Sequence, residues 1–240
     1  MKTLFIALML LVAGSVSAES DNVKMVSKKH STVSFGVKGG FNSTMLFADV
    51  FHIGGNKVID TQNNYKVGYF ASAFLRFNIK KHFIQPEISY NINQASVSID
   101  VQPNNSALIP ENALVKSKMI SFDFPLLYGY KFIDKDPYGM AFFVGPKVAW
   151  TWDKHCKINY SGFYQKDIVE DFKPLNYSAV FGIAVNISNI FCDFRYEIGL
   201  NNISNSINYN DTETASPYNE KEIVFKRRRN VLSFSVGFIF

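Results

Sequence analysis

From about residue 32 to the C-terminus, apolar residues recur at every second position rather than at helical spacing. This is the period of a strand whose two faces meet unlike surroundings. The clearest run is 190–201, where Ile190, Cys192, Phe194, Tyr196, Ile198 and Leu200 alternate with Phe191, Asp193, Arg195, Glu197, Gly199 and Asn201. Its charges all fall on one face. The same alternation predicts strands over 32–47, 65–79, 83–99, 116–132, 139–152, 174–187 and 230–240, giving eight in all, although Phe70 and Phe74 blur the polar face of 65–79.

The connections between these runs alternate in length. Short turns are expected at Lys80-Lys81-His82, from Asp134 to Pro137, and at Ser188-Asn189, with long loops at 48–64, 100–115, 153–173 and 204–228. Short turns on one rim and long loops on the other describe an all-β, eight-stranded antiparallel up-and-down transmembrane β-barrel of OmpA/OmpX-like architecture, with the turns periplasmic. Pro86, Pro125 and Pro146 fall inside strands of a wall that has no edges, and bulges beside them are the expected accommodation. A soluble eight-stranded barrel of the lipocalin type would also alternate. Its outer face would be studded with Lys, Glu and Thr, whereas the polar face here is mostly Gly, Ser, Ala and Asn with charges of both signs. Small residues and paired charges suit a lumen only wide enough for side chains to fill. The large Phe, Leu and Ile side chains of the other face suit lipid.

Composition sharpens this picture. The 240 residues are 47% hydrophobic and only 19% charged, with 23 Phe, 12 Tyr and 2 Trp. That excludes a disordered chain, and two cysteines exclude a disulfide scaffold. Residues 1–18, MKTLFIALMLLVAGSVSA, carry a basic start, an apolar stretch from Leu4 to Ala13 and small residues at Val16-Ser17-Ala18. They are expected to be a secretory signal peptide. A short periplasmic segment, 19–31, and a barrel domain, 32–240, would follow, with the cell outer membrane as the destination. The net charge of +5 is too mild to argue for nucleic acid as a partner.

The candidate functional groups are charges on the inward face: Lys38, Arg76, Glu87, Asp123, Lys147, Asp193, Arg195 and Glu197. Arg76 and Glu87 flank the 80–82 turn at similar heights and are expected to pair, as are Asp123 and Lys147 about the 134–137 turn. They form either a polar channel or proton path, or a plug of mutually neutralised charges. Eight strands leave no open aqueous pore, which favours the plug. Lys226, Arg227, Arg228 and Arg229 precede the last strand at the outer rim, where they either bind lipopolysaccharide phosphate or serve as a solvated strand end. No HExxH, GxSxG or metal-spaced Cys/His cluster is present, so neither catalysis, cofactor nor metal is expected. Cys156 and Cys192 should lie about a membrane thickness apart as free thiols.

The segments FGVKGGFNSTML (35–46), ISFDFPLLYGYKF (120–132), FFVGPKVAW (142–150), FRYEIGLNNI (194–203) and SFSVGFIF (233–240) together resemble the Bacteroidota outer-membrane β-barrel proteins, the PorT-like or "porin family" group. The resemblance implies the barrel fold and the outer-membrane location, and no common activity. It also makes Phe240 the aromatic ending that barrel assembly machinery reads. One branch of the group serves type IX secretion, but no motif here assigns the chain to it. Two roles follow: a closed barrel acting through its outer loops on secretion or envelope proteins, or a narrow pore or secretion accessory. A lipid A-modifying enzyme, using His52 or His155 near the outer rim, is a remote third.

Overall fold

The structure, a computed structural model, describes residues 32–53, 56–57, 61–100, 112–152, 157–162, 164–210, 212–216 and 223–240. The expected signal peptide and periplasmic segment, and Cys156, lie outside the described residues. The strands are β1 (Val33–Ile53), β2 (Asn56–Lys57), β3 (Thr61–Tyr65), β4 (Val67–Ile79), β5 (His82–Asp100), β6 (Asn112–Lys135), β7 (Tyr138–Thr151), β8 (Lys157–Ser161), β9 (Lys166–Phe172), β10 (Leu175–Ile187), β11 (Ile190–Gly199), β12 (Ser204–Asn210) and β13 (Ile223–Ile239).

Eight of them close a ring in the order β1-β4-β5-β6-β7-β10-β11-β13, every neighbour antiparallel. The seam between first and last strands is held at its lower end by Phe240 N–H donating to Phe35 O (2.8 Å) and Phe35 N–H donating to Phe240 O (3.1 Å). Turns at Lys80-Lys81, Asp136-Pro137 and Ser188-Asn189 join neighbours on one rim, as the sequence predicts.

The segments expected to be long loops differ from that expectation. β1 runs on to Ile53, β5 to Asp100, β6 starts at Asn112 and β13 at Ile223, so the wall continues beyond the apolar runs. β3 adds to β5 and β8 to β6 on this extension, while β9 and β12 form a separate two-stranded sheet. The stretch at 204–228 therefore contains paired strand where a polar loop was expected.

The prolines also behave differently. Phe74↔Glu87 and Phe77↔Ile84 lie either side of Pro86 in unchanged register, as do Pro86↔Leu126 and Ser89↔Asp123 on its other flank. Pro125↔Lys147 and Tyr128↔Val144 likewise keep one register past Pro146. The ladder is interrupted without an inserted residue, because a proline costs only the local donor when the strands either side stay paired. The register shifts of the ring fall instead at Ala48/Val50 and Lys131/Ile133.

The wall is apolar outside and polar inside. Phe35, Phe41, Leu75, Phe142, Val144, Phe181, Phe194 and Phe234 are exposed, while Lys38, Arg76, Glu87, Asp123, Lys147, Asp193 and Arg195 are buried. An exterior so continuously apolar is incompatible with water and matches hydrocarbon. Phe70, Phe74, Phe83, Phe143 and Phe191 break the pattern by pointing inward, the last four between 1% and 5% exposed. Glycines make room for three of them, Gly182 standing against Phe143. A Cβ on Gly129 would sit 2.0 Å from Phe83 Cζ, and one on Gly36 would sit 2.3 Å from Phe74 Cζ. Gly129→Val is therefore expected to destabilise the barrel by about 1–3 kcal/mol through overpacking. Gly39→Ala, whose new atom comes no closer than 3.6 Å to its neighbours, should change little. Urea unfolding of both variants in lipid vesicles checks this, and equal midpoints would contradict it.

Candidate functional site

The lumen is filled in levels. Nearest the short-turn rim, Phe83, Leu127, Ala141, Phe143, Val180 and Ala184 form a buried apolar cluster. Phe74 and Phe191 meet edge to face at 5.2 Å. The Arg76 guanidinium lies 4.5 Å from the Phe83 ring centroid and donates through Nε to Gln85 Oε1 at 2.6 Å. Arg76 does not pair with Glu87 as the sequence led us to expect. The β4–β5 register sets Phe74 against Glu87, which carries Arg76 to the level of Gln85.

Glu87 belongs to the next level. Arg195 donates through both terminal nitrogens to its two oxygens, each at 2.8 Å, and to Asp193 at 3.0 Å from Nε and 2.7 Å from Nη2. Lys38 Nζ lies 3.1 Å from Glu87 Oε2 and 3.0 Å from Asp193 Oδ2, and Ser235 Oγ donates to Asp193 at 2.8 Å. β5 and β11 are four places apart in a ring of eight, so the Glu87–Arg195 bond crosses the full diameter. Planar guanidinium-to-carboxylate geometry supplies the direction that such a span needs.

One inward step higher, Lys147 Nζ donates to Asp123 Oδ2 at 2.7 Å and also to Glu197, while Ser121 Oγ donates to Asp123 Oδ1 at 2.7 Å. Asn42, Asn91, Asn93, Asp123, Lys147 and Glu197 border an internal cavity of about 20 Å³. The side chain of Asn42 and Nδ2 of Asn93 make no hydrogen bond to the described protein and are buried against this space. A polar cavity of this size has room for a water molecule within reach of these amides. All eight inward charges expected from the sequence thus belong to the lumen; Lys38, Glu87, Asp193 and Arg195 share one cluster, Asp123, Lys147 and Glu197 another, and Arg76 sits below both.

The upper mouth is capped. Leu46, Ala95, Val97, Val115 and Met119 of the wall pack with Phe172 of β9 and with Ile203, just before β12. Arg227, wholly buried, donates through Nη2 to Glu170 at 2.7 and 2.8 Å, and Tyr160 O–H donates to the same carboxylate. Burial and the adjacent Glu170 carboxylate push the Tyr160 phenol above its ordinary range, so it remains a donor. Backbone bonds from Lys173 N–H to Ile203 O (2.9 Å) and from Ile203 N–H to Arg227 O (3.1 Å) tie the cap to β13.

This placement corrects the reading of Lys226 to Arg229 as a single outward patch. Strand alternation turns Arg227 and Arg229 into the lumen and leaves only Lys226 and Arg228 exposed. The remaining sequence candidates are scattered. His52 lies on β1, His82 stacks on Tyr128 at the short-turn rim, and His30 and His155 lie outside the described residues. Cys192, half-buried, is a free thiol. Phe240 closes the seam, stacked on Phe35 at 5.1 Å. Sequence reasoning put Phe70, Phe74 and Phe191 on the polar face but missed Gln85, Glu170, Phe83 and Phe143; for the last two, the glycines facing their rings were the available signal.

Comparison with known proteins agrees with this architecture. Residues 18–205 match the family described as "Outer membrane protein beta-barrel domain". No protein of curated function matches the sequence. Among solved structures, the outer membrane protein OprG from Pseudomonas aeruginosa has 11% identity and a TM-score of 0.55, covering 88% of this chain and 97% of its own. Ail, the attachment invasion locus protein of Yersinia pestis, has 9% identity and a TM-score of 0.38 over 88% of this chain and 100% of its own. Neisserial surface protein A has 11% identity and a TM-score of 0.37 over 85% and 96%. The match to OprG shows a shared fold. Since the family match extends over well more than half of the sequence, the chain belongs to the outer membrane protein beta-barrel family.

Proposed function

We propose that the protein is a closed outer-membrane barrel whose work is done by its extracellular cap, as an interaction or structural element of the envelope rather than a conduit. The observation that carries this reading is the Glu87–Arg195 bond across the lumen, with apolar side chains below it and a second charge cluster above. A hydrated ion entering this path would have to part buried ion pairs, and several kcal/mol oppose that. The cap supports the same reading: its polar strands β9 and β12 are held by Arg227 and Glu170 rather than left as free loops.

On this reading the chain is exported by residues 1–18, assembled through recognition of Phe240, and surrounded by outer-membrane lipid and lipopolysaccharide. Its partners are secretion or envelope proteins that meet the cap. The five segments shared with the PorT-like group support placing it in the Bacteroidota branch. Purified protein in planar bilayers is expected to show no steady conductance at moderate voltage. Discrete, reproducible openings of constant size would overturn the closed-barrel reading in favour of a narrow pore.

A further inference from the structure

On the outer surface of β6, successive outward positions read Phe122, Ile120, Lys118, Lys116, so the face changes from aromatic to cationic within two steps of about 7 Å. Beside Phe122 stand Trp150 of β7, Trp152 just past the end of that strand, and Tyr90 of β5. Ring centroids are 5.3 Å apart for Tyr90–Phe122, 6.2 Å for Phe122–Trp150 and 6.3 Å for Trp150–Trp152, the two indoles being nearly parallel at 14°. This shelf is exposed, with Trp150 at 46% and Trp152 at 40%. Trp152 N–H donates to Ile120 O at 3.0 Å, which fixes the shelf one outward step below Lys118.

The cations above the shelf are placed against ordinary preference. The β6–β8 register sets Lys118 directly opposite Lys157, with Lys116 opposite Asn159, and on the other flank the partners are Gln94 and Ser96. Lys116 and Lys118 stand two residues apart on one exposed face, where like charges repel, and none of these register partners is acidic. An external anion at this height would relieve the repulsion.

We propose that Lys116 and Lys118, above the Tyr90–Phe122–Trp150–Trp152 shelf, form a docking site for a phosphorylated glycolipid of the outer leaflet. The lysines receive its phosphate, and the aromatic faces pack against its sugar and the first carbons of its acyl chains. The height is right for each part: interfacial aromatics mark the headgroup level, and lysine stems reach along apolar surface towards phosphate. The site lies on the wall opposite Lys226 and Arg228, since β6 and β13 are four places apart in the ring.

Native mass spectrometry of the full-length mature barrel in detergent tests this, with bisphosphorylated lipid A, dephosphorylated lipid A and phosphatidylglycerol as probes. Bisphosphorylated lipid A is expected to bind with a defined stoichiometry and more tightly than either other lipid. Lys116→Gln with Lys118→Gln should weaken it by about fivefold for each lysine removed, while Lys116→Arg with Lys118→Arg retains it. Trp150→Ala should weaken both forms of lipid A and leave phosphatidylglycerol nearly unaffected. Undiminished binding to the double glutamine variant, or equal binding of the dephosphorylated lipid, would overturn the proposal. So would phosphatidylglycerol matching bisphosphorylated lipid A, because the sugar would then play no part.

Discussion

Replacing Glu87 by glutamine is expected to destabilise the barrel by about 3–5 kcal/mol, the cost of leaving buried charge without its partner. Glutamine keeps the size and most of the shape of the side chain, so packing does not account for such a loss. What disappears is one of the two carboxylates that Arg195 and Lys38 share, and with it the bond across the diameter. Asp193 alone would then face Lys38 and Arg195, with Arg76 close below. Adding Arg195→Met to the same chain removes the surplus cation, returns Lys38 and Asp193 to a simple pair, and should restore part of the lost stability. Urea titration of the refolded protein in vesicles, followed by tryptophan fluorescence, measures each step. A loss below about 1 kcal/mol for Glu87→Gln would match a solvent-screened pair. It would mean that water reaches this level of the lumen, and the closed-barrel reading would fail with it.

That sensitivity arises from long-range register, which is the part of the molecule least legible in the sequence. The eight wall strands and the three short turns were readable because hydrocarbon outside and packed charge inside impose maximal contrast on alternate positions. Above the membrane the outer face is no longer apolar, the contrast fades, and segments such as 48–53 and 112–115 read as loop although they are strand. The cap was hidden for a related reason. Ser204–Asn210 has only Ile207 and Tyr209 as an apolar face to mark it, and its strand state depends on β9, which is more than thirty residues away. Asp123 and Lys147 were paired correctly from local hairpin geometry, whereas Arg76 and Glu87 were not, because one step of register separates a partner from a neighbour. Arg227 and Arg229 were within reach of the sequence: carrying the alternation of Leu232, Phe234 and Val236 two residues further back already turns both inward.

The inward phenylalanines show what a rule based on polarity alone leaves out. Eight strands enclose a space that must be filled, and filling is a matter of volume as much as charge. Phe83 and Phe74 occupy room that Gly129 and Gly36 leave on neighbouring strands, so a large ring and a missing side chain act as one packing unit. Their rings then give Arg76 an aromatic face, which keeps its charge favourable at a level where the side chain it donates to is the Gln85 amide. Apolar and charged levels thus support each other along the axis, and the lumen has no stretch where either operates alone.

Which face of each strand meets lipid is the premise under all of these arguments, and one strand offers a direct measure of it. Phe181 stands near the middle of β10, pointing outward, 44% exposed and edge to face with Tyr196 at 5.5 Å. Leu175 has the same orientation at the long-loop end of that strand and is 46% exposed. Arginine at position 181 must carry its charge into hydrocarbon or thin the bilayer to reach water, so Phe181→Arg is expected to cost about 2–4 kcal/mol. Leu175→Arg lies where the guanidinium can reach the headgroups and should cost about 0–1 kcal/mol. The two variants share strand, face and introduced side chain, and each removes a large apolar residue, which leaves depth as the main variable that separates them. Reversible urea unfolding in vesicles reads the difference. Were the barrel immersed in water, both substitutions would be nearly neutral, and equal small losses at the two positions would remove the membrane from the account.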